Sequence, residues 1–140
     1  MTVSSQRALV VDDSPTIRNF VSATLEAAGY EVITAKSGFE ALKVLPSSSF
    51  HLVVTDVNMP DINGLELVRY VRNSPVHKAT PLIIISTDGR EKDRERGMQL
   101  GASAYLVKPF LPEALVELAK TVTAPGANVA PQMVVKAKKP

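Results

Sequence analysis

The sequence predicts a doubly wound α/β domain, a five-stranded parallel sheet with five helices on its two faces. Two observations carry that expectation. Short apolar runs alternate along the chain with longer segments of helical periodicity. The runs also lack the polar alternation of a half-exposed strand, as expected where both faces of a parallel sheet are covered. Right-handed crossovers between such strands give the doubly wound arrangement. The 140 residues suit one domain, with 45% hydrophobic residues to fill its core.

The first strand is "ALVVDD" (8–13), an apolar run ending in two acids. "SPTIRNFVSATLEAAG" (14–29) carries helix start and stop signals, with Ser14 as N-cap, Pro15 at the first helical position and Gly29 beyond the end. Its buried stripe is expected at Ile17, Phe20, Val21, Leu25 and Ala28. "YEVITA" (30–35) is the second strand, and "SGFEALKVL" (37–45) a short helix closed by Pro46. "FHLVVTD" (50–56) is the third strand, and "NGLELVRYVRNS" (63–74) a helix with Leu65, Leu67, Val68 and Val71 inward. "PLIIIST" (81–87) is the most β-branched run and is expected at the sheet centre. "GREKDRERGMQLG" (89–101) is a highly charged helix with few core anchors, ending at Gly101. "AYLVKPF" (104–110) is the fifth strand, and "PEALVELAKTV" (112–122) the last helix. From Thr123 the Pro, Gly and Ala content predicts a flexible tail over 123–140, leaving 1–122 as the folded domain.

Composition removes several function classes. There is no cysteine, hence no disulfide, thiol catalysis or thiolate metal site. No apolar stretch approaches the roughly 20 residues of a membrane span, and "MTVSSQR" is not a signal peptide, so a cytoplasmic protein is expected. The net charge of +2 misleads, because Lys136, Lys138 and Lys139 crowd the tail and the rest of the chain is nearly balanced. Neither GxxxxGK[ST] nor GxGxxG occurs, against a nucleotide- or flavin-binding module on a similar fold. No helix-turn-helix follows the domain, so DNA binding by this chain is not expected.

The strand ends carry the chemistry. Strand one ends at Asp12 and Asp13, strand three at Asp56, strand four at Ser86 and Thr87, and strand five at Lys108, followed by Pro109. In a parallel sheet these ends share one edge, where such folds bind ligands. Each piece alone has an ordinary structural explanation: an acid pair before a helix, a Lys-Pro turn, a hydrogen-bonded hydroxyl. Together, three carboxylates would repel one another unless cations neutralise them. An oxygen-only set without His or Cys favours Mg²⁺ over zinc. Mg²⁺ tends to use one or two carboxylates and a phosphate oxygen, leaving one carboxylate free as a nucleophile toward phosphorus. Mg²⁺, the Lys108 ammonium and the Ser86 hydroxyl would then serve the three oxygens of the phosphoryl group.

"VVDDSPTIR", "VVTDVNMPDINGLEL", "PLIIIST" and "GASAYLVKPF" together resemble the response-regulator receiver domain of two-component signalling, over residues 8 to about 122. Single-domain chemotaxis regulators of the CheY type are the nearest resemblance. It implies a flavodoxin-like sheet of order 2-1-3-4-5. It also implies phosphorylation at Asp56, Mg²⁺ held by Asp12, Asp13, Asp56 and the backbone carbonyl of Asn58, and a cis bond between Lys108 and Pro109. Lys108 would pair with the phosphoryl oxygens. Ser86 rather than Thr87 would be the switch hydroxyl, and Tyr105 the switch aromatic that swings inward with it. Asn58 and Asp88, each two residues past a site residue, would tune dephosphorylation.

The implied partners are a histidine kinase and a downstream protein target reached through the surface of the fourth helix, fifth strand and fifth helix, with the chain a monomer or a phosphorylation-linked dimer. The chain would be a regulatory phosphoacceptor and not an enzyme. A relay receiver passing its phosphoryl group to a histidine phosphotransfer protein has the same site residues. A haloacid-dehalogenase-type phosphatase would need a second acid two residues after the nucleophile, where this chain has Asn58.

Overall fold

The computed structural model describes residues 6–86, 91–124 and 133–135. The five expected strands form as β1 (Arg7–Val11), β2 (Glu31–Ala35), β3 (Leu52–Asp56), β4 (Leu82–Ser86) and β5 (Ala104–Val107). They alternate with α1 (Pro15–Ala27), α2 (Gly38–Val44), α3 (Gly64–Asn73), α4 (Glu91–Leu100) and α5 (Pro112–Thr123). All pairings are parallel, and β1 to β5 lie in the expected order 2-1-3-4-5. Every residue of β3 and β4 is buried, which is why those strands read as unbroken apolar runs.

A sixth parallel strand was not expected. Met133–Val135 (β6) pairs with β5 in the register Ala104↔Met133, Tyr105↔Val134 and Leu106↔Val135. These three residues are extended strand where the sequence predicts flexible tail. The reason is local: β5 would otherwise expose an unpaired edge, and "MVV" is the most strand-prone triplet of that segment. The other residues of the expected tail beyond Ala124 lie outside the described residues.

The sheet divides the core in two. On one face α2, α3 and α4 pack over Leu9, Val53, Ile84 and Tyr105; on the other α1 and α5 pack over Val10, Val54, Ile83 and Leu106. Caps fix the helix starts. Ser14 Oγ accepts from the Ile17 amide at 3.3 Å beside Pro15 at N1, and Asn63 forms a reciprocal capping box with Glu66. Pro46 does not simply close α2: the chain runs on through a short 3-10 turn, Leu45–Ser47. Phe20 is also a correction. It is 39% exposed rather than part of the α1 stripe, and its ring leans on Phe110 at 5.8 Å.

Arg72 on α3 is a half-buried clamp that sequence patterning missed. Its guanidinium donates to the carbonyls of Gly101 (2.8 Å), Thr80 (2.7 Å) and Lys78 (3.2 Å). It thereby ties α3 to the end of α4 and to the loop before β4. Burial holds its pKa below the usual arginine value. Arg72→Met is expected to cost about 2 kcal/mol, because it leaves these carbonyls without their charged donor. Urea denaturation measures that loss.

Candidate functional site

Four of the strand-end residues, Asp12, Asp13, Asp56 and Lys108, come together at the C-terminal edge of the sheet. Asp12 and Asp13 follow β1, Asp56 ends β3, Ser86 ends β4 and Lys108 follows β5. Asp12, Asp56 and Ser86 are buried, Asp13 is exposed, and Lys108 is half-buried. Oxygens of Asp12, Asp13 and Asp56 all lie within 4.8 Å of one another. The Lys108 ammonium donates to Asp56 Oδ1 at 3.2 Å and sits 3.8 Å from Asp12 Oδ2. The Lys108–Pro109 bond is cis, as the family resemblance implied.

Backbone hydrogen bonds fix the strand ends that carry these residues. The Asp12 amide donates to the Ala35 carbonyl, continuing the β1–β2 ladder. Asp12 Oδ1 accepts from the Ser14 amide at 2.9 Å, while Arg18 Nη1 donates to the Asp12 carbonyl at 2.8 Å. Arg18 was missed in the sequence, although its position one helical turn past Ser14 points it back at the strand end. The Val57 amide donates to the Ile85 carbonyl, and the Lys108 amide to the Ser86 carbonyl, fixing β3 and β5 against β4. The Thr55 hydroxyl donates to the Asp56 carbonyl at 3.0 Å.

The loop after Asp56 is pinned at two points. The Gly64 amide donates to the Val57 carbonyl at 2.9 Å. Asp61 accepts from the amides of Gly38 (3.3 Å) and Phe39 (2.9 Å), so this loop also caps α2. Those amides, Phe39 first, hold the Asp61 carboxyl below its ordinary pKa. Its stabilisation is therefore present above the unfolded pKa and fades as pH falls through the lower folded value. Asn58 lies exposed in this loop and Met59 is buried.

Burial dominates the electrostatics. It pushes the Asp12 and Asp56 carboxyls above the usual 3.8, despite the Ser14 amide at Asp12 and the Lys108 charge near both. One ammonium does not balance three close carboxylates. The donor set is oxygen-only, close-spaced and short of positive charge, which fits a hard divalent cation.

The sign of the pH effect follows. Carboxyls whose folded pKa is raised contribute stability below the unfolded value, and that contribution is lost as pH rises through the folded values. Metal-free protein at neutral pH therefore carries an electrostatic penalty. Thermal melts in chelator should show Asp56→Asn more stable than wild type at neutral pH, with the difference shrinking as pH falls toward the ordinary carboxylate pKa. Added Mg²⁺ should raise the wild-type melting temperature more than that of the Asp56→Asn protein.

Tyr105 is fully buried against the α3–α4 side of the sheet, in the core cluster that holds Ile84 and Met98. α4 approaches closely there: a Cβ on Gly97 would stand 2.8 Å from Ile84 Cδ1. Thr87 and Asp88 lie outside the described residues. Among the described residues, no helix is long and apolar enough to cross a membrane.

Comparison with known proteins agrees with this geometry. The sequence model of the response regulator receiver domain matches residues 8–120. The chain is 40% identical to the chemotaxis protein CheY1 of Helicobacter pylori over 118 residues, 83% of this chain and 95% of that protein. It is 34% identical to the phosphate regulon transcriptional regulatory protein PhoB of Pseudomonas aeruginosa, spanning 88% of this chain but 55% of that protein. The solved structure of the chemotaxis response regulator CheY4 of Vibrio cholerae superposes with a TM-score of 0.80 at 41% identity, over 85% of this chain and 99% of that chain.

Proposed function

This chain belongs to the response regulator receiver domain family, and we propose that it works as a phosphorylation-dependent switch that accepts a phosphoryl group on Asp56. The observation that carries this reading is the meeting of Asp12, Asp13, Asp56 and Lys108 at one edge of the sheet. A receiver implies a histidine kinase as donor and a downstream protein as target. The likeness to the CheY proteins supports chemotaxis or motility signalling in the cytoplasm as the setting.

The residues divide the work. An Asp56 carboxylate oxygen attacks the phosphorus of the donor's phosphohistidine; the P–N bond breaks, and an acyl phosphate forms on Asp56. Bound Mg²⁺ would supply positive charge to the phosphoryl oxygens, held by Asp12, Asp13, Asp56 and the Asn58 carbonyl. Lys108, already 3.2 Å from Asp56 Oδ1, moves its ammonium onto a phosphoryl oxygen as charge develops. Ser86 donates its hydroxyl to another. Tyr105 reports that movement to the surface formed by α4, β5 and α5, where the target binds in the favoured state. The chain speeds only its own phosphorylation and dephosphorylation, so it is a regulatory protein rather than an enzyme acting on a separate substrate.

Incubation with acetyl phosphate tests the reading without a kinase. One phosphate adduct is expected with Mg²⁺, and almost none with excess chelator. An adduct that forms equally well without divalent metal would contradict the role given to the acid cluster. Asn58 and Asp88, each two residues past a site residue in the sequence, are expected to tune water attack, so the adduct should decay within seconds to minutes once donor is removed. A phosphoryl group retained for hours with Mg²⁺ present counts against that tuning role.

A further inference from the structure

β6 lies on the sheet edge beside β5, outside the 8–120 span of the family match. Without it, the N–H and C=O groups on the open side of β5 would be unpaired, and such an edge is a site for strand addition. The β5 residues it pairs are Ala104, Tyr105 and Leu106, with Val134 directly opposite Tyr105. We propose that residues 133–135 are a cis-acting strand that occupies the β5 edge and excludes an extended peptide of a partner from it. The edge would then accept, when the tail leaves, an apolar strand laid parallel to β5. That this same edge belongs to the target-binding surface rests on the functional reading above.

Two physical points favour a removable cap over a permanent sixth strand. Three residues make a very short strand, whose pairing only just offsets the entropy of ordering it. The segment joining it to α5, residues 125–132, is short and rich in Ala, Pro and Gly. Such a tether gives the strand a high effective concentration at the edge, on the order of millimolar. It therefore competes with a free peptide without binding strongly itself. Lys136, Lys138 and Lys139 follow at once, a basic run of the kind that discourages continued strand pairing.

The test uses the chain's own strand as probe. A labelled peptide of residues 125–140, "PGANVAPQMVVKAKKP", is titrated onto the full chain, onto the full chain carrying Val134→Pro, and onto a chain ending at Ala124. Proline removes the amide at the centre of β6 and fixes φ at about −65°, away from the extended value of a parallel strand, which weakens the pairing. Binding is expected to be about twofold tighter to the Val134→Pro and shortened chains than to the unaltered chain, because a cap whose pairing only just offsets its ordering fills the edge about half of the time. A peptide carrying the same Val134→Pro change should bind more weakly. In parallel, the β5 amides should exchange with solvent faster in full-length Val134→Pro than in the unaltered chain. Equal peptide binding to all three proteins, or equal β5 exchange in the two full-length proteins, would overturn the proposal. Neither readout needs phosphorylation, so failure here leaves the Asp56 reading standing, and failure of acetyl phosphate loading leaves this one standing.

Discussion

Asp56→Asn should abolish stable phosphoryl transfer to this chain while leaving a folded, more stable protein. The amide is nearly isosteric with the carboxylate but is a poor nucleophile and cannot form the acyl phosphate. It also removes one of the two buried carboxylates whose pKa burial has pushed up. Asp56 is 6% exposed and faces two other acids with one ammonium between them. Neutralising it relieves repulsion at Asp12 and Asp13 and frees Lys108 for Asp12. The pairing of outcomes is diagnostic. A residue retained for stability would lower the melting temperature when replaced, whereas a residue retained for chemistry at a cost to stability raises it. Mass measurement after acetyl phosphate treatment and a melt in chelator read the two effects on one sample.

Gly64→Ala should damage both fold and function. A Cβ on Gly64 would collide with the Asp56 carbonyl and stand 2.9 Å from the Val57 Cα. Both obstacles are backbone, held by β3 pairing and by the Gly64 amide bond to Val57, so neither can rotate away. The first turn of α3 would have to lift off the end of β3, at a cost of about 3 kcal/mol. The loop carrying Asn58 would move with it, so acceptance from acetyl phosphate should slow as well. Gly29→Ala is the contrast. Gly29 has a φ of +103° but nothing within 4 Å of an added Cβ. Its replacement should cost about 1 kcal/mol of backbone strain and leave phosphoryl acceptance unchanged. Urea denaturation with initial rates of adduct formation separates the two glycines.

The parts of the fold legible in the sequence are those with a one-dimensional signal. "ALVV", "LVVT" and "LIIIS" are unbroken because both faces of the sheet are covered, and Ser14-Pro15 announces α1 because a cap has a fixed local chemistry. The acids, Ser86 and Lys108 could be grouped because parallel strands deliver their ends to one edge. Arg18, Asp61 and Arg72 could not be read in advance. Their partners are mainly backbone groups, which carry no sequence signature, and for Asp61 and Arg72 these lie on other elements of the fold. Phe20 fits the helical stripe by spacing, yet it sits where α1 meets the segment after β5, and Phe110 takes it as a surface partner. β6 was hidden for a different reason. Three apolar residues in an Ala-, Pro- and Gly-rich stretch signal nothing until a neighbouring edge is known to be open.

The measurement that bears most directly on the central claim is chemical mapping of the phosphoryl group. Protein loaded from acetyl phosphate with Mg²⁺ is reduced with borohydride, which converts an acyl phosphate on aspartate to homoserine, then digested and sequenced by mass spectrometry. Homoserine is expected at position 56 and nowhere else, absent when chelator replaces Mg²⁺. Homoserine at position 12 or 13, or a phosphate adduct that survives borohydride unreduced, would contradict it.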